Sequence, residues 1–148
     1  VDWADTAVLA DDSGLEVDCL AGAPGVHSAR FAALDHEAEA ATAGNTPDAA
    51  NNAKLLRLLE TVPAERRTAR FRCVLALAPV QRSDAVAIFD GRCEGAIGFA
   101  PRGKGGFGYD PLFLPAGHQE SFAELGEQIK NGMSHRANAV QKLKAFLG

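Results

Sequence analysis

The chain has no long apolar run, no excess of basic residues and no paired cysteines. Its longest apolar stretch, residues 74–80, is far too short to span a bilayer, so no membrane partner is expected. The net charge of −4, from 15 Lys and Arg against 19 Asp and Glu, argues against a non-specific nucleic-acid binder. Cys19, Cys73 and Cys93 are odd in number and lack metal-ligand spacing, which predicts free thiols in a reducing cytoplasm.

What the chain does contain indicates one soluble globular domain. It has 148 residues, of which 47% are hydrophobic and 23% charged. Asp2 and Asp5 stand where the basic region of a signal peptide would lie, so none is expected.

The hydrophobic pattern predicts an α/β fold: a single domain with a mixed, twisted sheet flanked by helices. Apolar runs and alternation predict strands at 6–19 with a bend at Gly14, 70–77, 85–89, 95–100 and 111–115. Helical spacing and capping residues predict helices within 31–44 and over 47–62, 121–131 and 134–147. The prolines that bound 111–115 favour an edge strand.

Asp11 and Asp12 follow the apolar run at 6–9, where a buried strand would leave the core. Two adjacent carboxylates are costly there unless a cation meets them. Mg²⁺, held by one or two carboxylates together with substrate phosphates, is one such cation. A strand-end turn built from Asp, Ser13 and Gly14 is the alternative, and this segment alone does not decide between them.

A glycine-rich segment at 102–110 satisfies G-x-G-x-x-G, but its two familiar interpretations fail. Pro111 forbids the helix that a dinucleotide-binding fold requires directly afterwards. A kinase loop is excluded because the chain is too short and has no catalytic-loop signature.

Two interpretations of this loop remain. It is either a plain glycine loop with core aromatics or a backbone that approaches a ligand closely. In the second case Phe107 and Tyr109 supply stacking area for a base, and Asp110 accepts hydrogen bonds from its ring nitrogens.

A third polar segment, Lys130 with Ser134, His135 and Arg136, straddles the predicted break between the last two helices. A helix N-terminus favours anions and hydrogen-bond acceptors, and these side chains would add donors there. The alternative is a set of solvated helix-end residues.

Together these segments resemble one family, the inosine/xanthosine triphosphate pyrophosphatases. Its members hydrolyse deaminated purine nucleoside triphosphates to the monophosphate and pyrophosphate. The matching segments, in the family's order, are residues 10–17, 22–31, 51–56, 71–75, 105–113 and 134–136.

The resemblance implies roles for particular residues. Asp12 and Asp11 would be the catalytic and metal-binding carboxylates, with Mg²⁺ as cofactor and Asp12 as general base. The implied substrate-binding residues are Ser13, Phe107, Gly108, Tyr109, Asp110, Lys130, His135 and Arg136. The substrate would be ITP, dITP or XTP, and the protein a cytoplasmic homodimer. A carbonyl at position six of the base would accept hydrogen bonds from His135 and Arg136, whereas the amino group of adenine would leave those donors unpaired.

One feature of the family has no match here. Its members begin with a strand, a Ser/Thr-x-Asn-x-x-Lys phosphate loop and a helix, and they carry a Glu that shares the metal. Residues 51–54 agree with the Asn-x-x-Lys part of this pattern, but they lie inside a predicted helix. Ala49 also stands at the position where the pattern requires Ser or Thr. We therefore expect an N-terminally truncated member with a recognisable fold and with poor turnover or none.

Two other functions stay open at this point. One is a Maf-like nucleotide pyrophosphatase, which a preference for modified pyrimidines would indicate. The other is a catalytically inactive nucleotide-binding module, which would bind ITP and form no product.

Overall fold

A four-stranded sheet organises the computed structural model, which describes residues 7–35, 47–79 and 86–148. The strands are β1 (Ala7–Val17), β2 (Thr68–Pro79), β3 (Ala87–Ile97) and β4 (Phe113–Pro115). They lie in the order β1-β2-β3-β4, and each pairs antiparallel with its neighbours. The predicted sheet is therefore present, but its described strands are antiparallel and not mixed, because successive strands are neighbours and each reverses direction.

The two faces of this sheet differ because side chains alternate along each strand. Leu15 of β1 lies opposite Phe71 of β2, and both are buried. On the other face Arg70 Nη1 lies 3.8 Å from Glu16 and its Nε 3.1 Å from Glu94. Such solvated pairs each contribute only about 0–1 kcal/mol. The apolar face therefore carries the core.

Helices and 3₁₀ segments pack around this sheet. The helices are α1 (Asp48–Leu58), α2 (Phe122–Leu125), α3 (Glu127–Met133) and α4 (His135–Leu147). The 3₁₀ segments are Asp18–Leu20, Gly25–Asp35 and Ala64–Arg66. Helix α4 packs on β2 and β3, while the Gly25–Asp35 segment packs on β1 and α1. Within the described ranges, no helix is long and apolar enough to cross a membrane.

Three phenylalanines hold β2, β4 and α2 together. The ring centroids of Phe71 and Phe113 are 4.5 Å apart, and those of Phe113 and Phe122 are 5.2 Å apart. All three rings are buried. Because β4 and α2 follow the glycine-rich loop in the chain, this cluster also fixes where the loop leaves the core.

Helix α4 lies directly on β3 at Gly91. A Cβ atom at this position would lie 2.1 Å from the carbonyl oxygen of His135 and 2.4 Å from the amide nitrogen of Ala139. Only glycine allows so close an approach. Gly91 therefore sets the position of the N-terminus of α4, and with it that of His135.

Several predicted features are confirmed. β1 continues through Asp11 and Asp12 as one strand. Ser121 and Glu124 form the predicted capping box, and the Ser134 hydroxyl caps α4. The short strand predicted at 111–115 is present as β4 (Phe113–Pro115) and lies at the edge of the described sheet.

Other boundaries differ from the prediction. The two strands predicted at 85–89 and 95–100 are one strand, β3, because its glycines lie where α4 and β4 pack closely against it. The helix predicted at 121–131 is divided at Gly126, whose φ of 85° interrupts it. Helix α1 ends at Leu58 and not at residue 62. The end of α4 is less buried than predicted, since Leu147 is 55% exposed. The helical prediction at 36–44 lies outside the described residues, and so does Thr46, which the sequence suggests as the N-cap of the helix over 47–62.

Candidate functional site

One cavity of about 250 Å³, here called the central cavity, lies beside the apolar face of the sheet. Its walls come from β1, the Gly25–Asp35 segment, the start of α1, the glycine-rich loop and the junction of α3 with α4. All eight residues that the sequence suggested for substrate binding line it: Ser13, Phe107, Gly108, Tyr109, Asp110, Lys130, His135 and Arg136. Three distant segments of the chain therefore converge on one cavity.

A buried ion pair closes the glycine-rich loop. Lys130 Nζ lies 2.6 Å from Asp110 Oδ2, and the two residues are 9% and 2% exposed. The same oxygen accepts a hydrogen bond of 3.1 Å from the backbone N–H of Phe107. A Cβ atom on Gly106 would lie 2.3 Å from this oxygen, so the loop can close here only with glycine. Asp110 thus holds the loop in shape, and its Oδ2 is engaged within the protein.

The two aromatic residues of the loop have different surroundings. Phe107 is 64% exposed at the mouth of the cavity, and Lys130 Nζ lies 4.2 Å from its ring centroid. Tyr109 is buried, and its hydroxyl donates a hydrogen bond of 2.6 Å to the carbonyl oxygen of Ser28. Burial, with the Asp48 carboxylate adding to it, holds the pKa of Tyr109 well above its usual range. Phe107 is therefore the aromatic ring with free area, and Tyr109 ties two walls together as a neutral phenol.

His135 is a buried, neutral imidazole in the cavity wall. Its ring stacks on Phe71, with centroids 5.0 Å apart and an angle of 21° between the planes. Burial, followed by the positive charges of Arg136 and Lys130, lowers its pKa to about 4. Its Nδ1 has no hydrogen-bond partner among the described residues. A neutral imidazole offers one donor and one acceptor, which a planar ligand can use.

Asp11 pairs with Arg136, which lines the central cavity. The distance from Arg136 Nε to Asp11 Oδ2 is 2.9 Å, and the Ser13 hydroxyl donates to Asp11 Oδ1 over 3.1 Å. Half of the Arg136 side chain is exposed. The carboxylate therefore orients the guanidinium while leaving part of it open to a ligand.

Asp12 points to the opposite face of β1. It pairs in register with Val74 of β2 and lines a second cavity of about 180 Å³ together with Glu16 and Arg72. Ser13 and Gly14 line both cavities, so the two adjoin across β1. The structure therefore does not bring the Asp11 and Asp12 carboxylates together around one metal ion, because adjacent residues of a strand project from opposite faces.

This geometry bears on the expected metal. No group of three or more His, Cys, Asp or Glu residues suited to a metal ion occurs in the described part of the chain. Mg²⁺ is commonly held by one or two carboxylates with waters and substrate phosphates, so Asp12 in its open cavity fits that role. Asp11 does not fit as a second ligand beside it, since it lies on the other face and is paired with Arg136.

Sequence reasoning missed the first turns of α1. Asp48 Oδ2 accepts a hydrogen bond from the backbone N–H of Gly108, and Asn52 Nδ2 donates to the Gly108 carbonyl. Asn51 bonds to the backbone of the Gly25–Asp35 segment. The sequence could have indicated these contacts, since Asn51 and Asn52 lie on the helix face that also carries the buried Leu55. Buried side-chain amides require hydrogen-bond partners. As predicted, residues 51–54 lie within a helix and do not form a phosphate loop.

The fold and the cavity together define an α/β protein with a small-molecule site beside an antiparallel sheet. The chain belongs to the Ham1 family, whose sequence model matches residues 2–146. The resemblance inferred from the sequence motifs is thereby confirmed.

Curated relatives and solved structures agree with this assignment. The chain is 51% identical over 139 residues to the dITP/XTP pyrophosphatase of Desulforamulus reducens, covering 94% of this chain and 63% of that protein. It is 52% identical over 136 residues to the dITP/XTP pyrophosphatase of Geobacillus kaustophilus, covering 92% of this chain and 61% of that protein. The chain thus spans less than two thirds of the length of these relatives.

Two solved structures share the fold. The Staphylococcus aureus Ham1 protein superposes with a TM-score of 0.83 at 38% identity, covering 97% of this chain and 68% of that one. A HAM1 protein from Coxiella burnetii gives the same TM-score and coverage at 42% identity. The single-domain α/β fold is therefore confirmed.

Proposed function

We propose that this protein hydrolyses deaminated purine nucleoside triphosphates, ITP, dITP and XTP, to the nucleoside monophosphate and pyrophosphate. The main supporting observation is that three features line one cavity: the neutral imidazole of His135, the half-exposed guanidinium of Arg136 and the glycine-rich loop. The identity of about half the residues with proteins named dITP/XTP pyrophosphatases supports the same activity.

Selection of the base follows from hydrogen-bonding capacity. The carbonyl oxygen at position six of hypoxanthine or xanthine accepts from the donors of His135 and Arg136. The amino group of adenine is itself a donor and would leave them unpaired. Sites whose buried polar groups go unpaired with the wrong ligand discriminate strongly. Phe107, exposed beside the cavity, supplies area on which the base stacks.

The phosphates would cross β1 at Ser13 and Gly14, which line both cavities, and reach the side of the strand that carries Asp12. There Asp12 orients a water molecule and takes its proton as the water attacks phosphorus; the anhydride bond between the α- and β-phosphates breaks and pyrophosphate leaves. Mg²⁺, when bound by Asp12 and the phosphates, would neutralise the charge of the triphosphate. A homodimer and a cytoplasmic location are part of the same proposal.

The test is Mg²⁺-dependent pyrophosphate release from ITP, with ATP as the control nucleotide. We expect release from ITP at a low rate, in line with the poor turnover expected above, and little or none from ATP. Comparable turnover of ATP, or a preference for a modified pyrimidine triphosphate, would contradict the proposed specificity.

Asp12→Asn and Asp11→Asn form a matched pair for the chemistry, since each neutralises one carboxylate of β1. Asp12→Asn should abolish turnover while ITP still binds. Asp11→Asn should raise KM, because Arg136 loses its orienting partner, and should change kcat little. An active Asp12→Asn protein would reassign the general base.

Nucleotide binding without turnover is the second candidate function. Asp12 is the acid that we place at the phosphates, and the described part of the chain holds no cluster of three potential metal-binding residues around it. Saturable ITP binding with no pyrophosphate formed would select this alternative.

A further inference from the structure

Helix α1 holds both backbone polar groups of a single loop residue, Gly108. Asp48 Oδ2 accepts from the Gly108 N–H over 2.8 Å, and Asn52 Nδ2 donates to the Gly108 carbonyl oxygen over 3.1 Å. Asp48 and Asn52 are four residues apart, so they lie on the same face of the helix. Gly108 has a φ of 58°, a left-handed conformation that favours glycine. The loop is thus fastened to α1 at a point lining the central cavity.

The same helix also holds the opposite wall of that cavity. Asn51 Oδ1 accepts from the Ala32 N–H over 2.9 Å, and its Nδ2 donates to the Ala29 carbonyl over 3.2 Å. One turn further along, Lys54 Nζ donates to the Phe31 carbonyl over 2.8 Å. Because α1 binds the loop on one side and the Gly25–Asp35 segment on the other, it sets their separation together with the Tyr109–Ser28 hydrogen bond.

We propose that Asp48 and Asn52 are positioning residues for the nucleotide base. By holding Gly108, they set the width of the central cavity between the loop and the Gly25–Asp35 segment, and so the affinity for the base. They need not touch the ligand to do so. The identity of the ligand rests on the proposed function, whereas the positioning of Gly108 does not.

Asp48 is the better residue to alter, because it is exposed in the first turn of α1 and Asn52 is buried. Asp48→Ala removes both the charge and the hydrogen-bond acceptor. Asp48→Asn removes the same charge but keeps an amide oxygen that can accept from Gly108. Comparing the two separates the hydrogen bond from the charge. Glu60→Ala, in the exposed turn after α1, serves as the control for loss of a surface carboxylate.

Two quantities should be measured on the full chain: hydrogen exchange of the Gly108 amide by NMR, and the dissociation constant for ITP by calorimetry without divalent cations. For Asp48→Ala we expect faster Gly108 exchange and ITP binding weaker by about three- to tenfold, the range for one lost hydrogen bond. Asp48→Asn should restore most of both, and Glu60→Ala should match the unaltered protein. If only the charge of Asp48 mattered, the two Asp48 variants would show the same Gly108 exchange and the same ITP affinity. That result would contradict the role of Asp48 as hydrogen-bond acceptor for Gly108.

Unchanged Gly108 exchange and unchanged ITP affinity in Asp48→Ala would overturn the proposal. Faster exchange with unchanged affinity would also overturn it, because the loop would then move without affecting the base. If the unaltered protein failed to bind ITP, the proposed function would be contradicted, and the exchange data would still decide whether Asp48 holds Gly108.

Discussion

Gly91→Ala provides a sharp test of how α4 positions the candidate site. The new Cβ would lie 2.1 Å from the His135 carbonyl oxygen, far inside any real contact, so α4 must move away from β3 by roughly 1 Å. Overpacking of this kind costs about 1–3 kcal/mol. Since His135 and Arg136 are the first residues of α4, the shift should also weaken ITP binding.

Gly132→Ala is the matched control for this substitution. Gly132 lies in α3, and a Cβ there would meet no atom within 4 Å. Alanine is favoured over glycine in a helix by about 0.5–1 kcal/mol, so this variant should be as stable as the unaltered protein or more so. Urea denaturation gives the free energy of unfolding, and calorimetry gives the affinity for ITP. If Gly91→Ala were as stable as Gly132→Ala and bound ITP equally well, the close packing of α4 on β3 would be refuted.

Three further predictions concern other groups in the cavity. Asp110→Asn should lower the free energy of unfolding by about 3–5 kcal/mol, because Lys130 keeps a buried charge without its partner; urea denaturation measures this, and a loss below 1 kcal/mol would contradict it. The pKa of His135 is lowered from 6.5 to about 4 in the folded protein, so the unfolded chain binds the extra proton between those values. Stability should therefore fall as pH drops from 6.5 towards 4, by up to about 3 kcal/mol, and His135→Gln should remove that part of the pH dependence of Tm. Tyr109→Phe removes the hydrogen bond to the Ser28 carbonyl and should cost about 1–3 kcal/mol by thermal unfolding, whereas an unchanged Tm would show that this bond does not join the walls.

Much of the sheet could be predicted because its information is local. The alternation along β2 of buried residues with partly buried ones is visible in the local sequence, as is the capping box at Ser121. The division of a helix at Gly126 was not predictable from spacing, since the apolar positions continue across it. The length of β3 was missed because residues 90–94 fell outside both predicted strands, although Gly91 among them is a close-packing position within β3.

The candidate site was only partly predictable, because its contacts join distant segments. Gly108 binds Asp48 and Asn52, which lie 60 and 56 residues away along the chain. Neither contact produces a periodic pattern in the sequence near the loop. The motif residues on the loop and on α4 were found because they match a family pattern. On α1, Asn52 falls within the matching segment 51–56, but the resemblance implied no role for it, and Asp48 lies outside the matching segments.

The two aspartates of β1 show how one structural fact changes a chemical assignment. From the sequence alone, Asp11 and Asp12 were both expected to bind the metal ion, and a turn at this position was still possible. The strand, however, runs without a break from Ala7 to Val17, so adjacent side chains must lie on opposite faces. Asp11 then meets Arg136 beside the central cavity, while Asp12 lies in the second cavity. One carboxylate can therefore act on the base side of the ligand and the other on the phosphate side, with Ser13 and Gly14 between them.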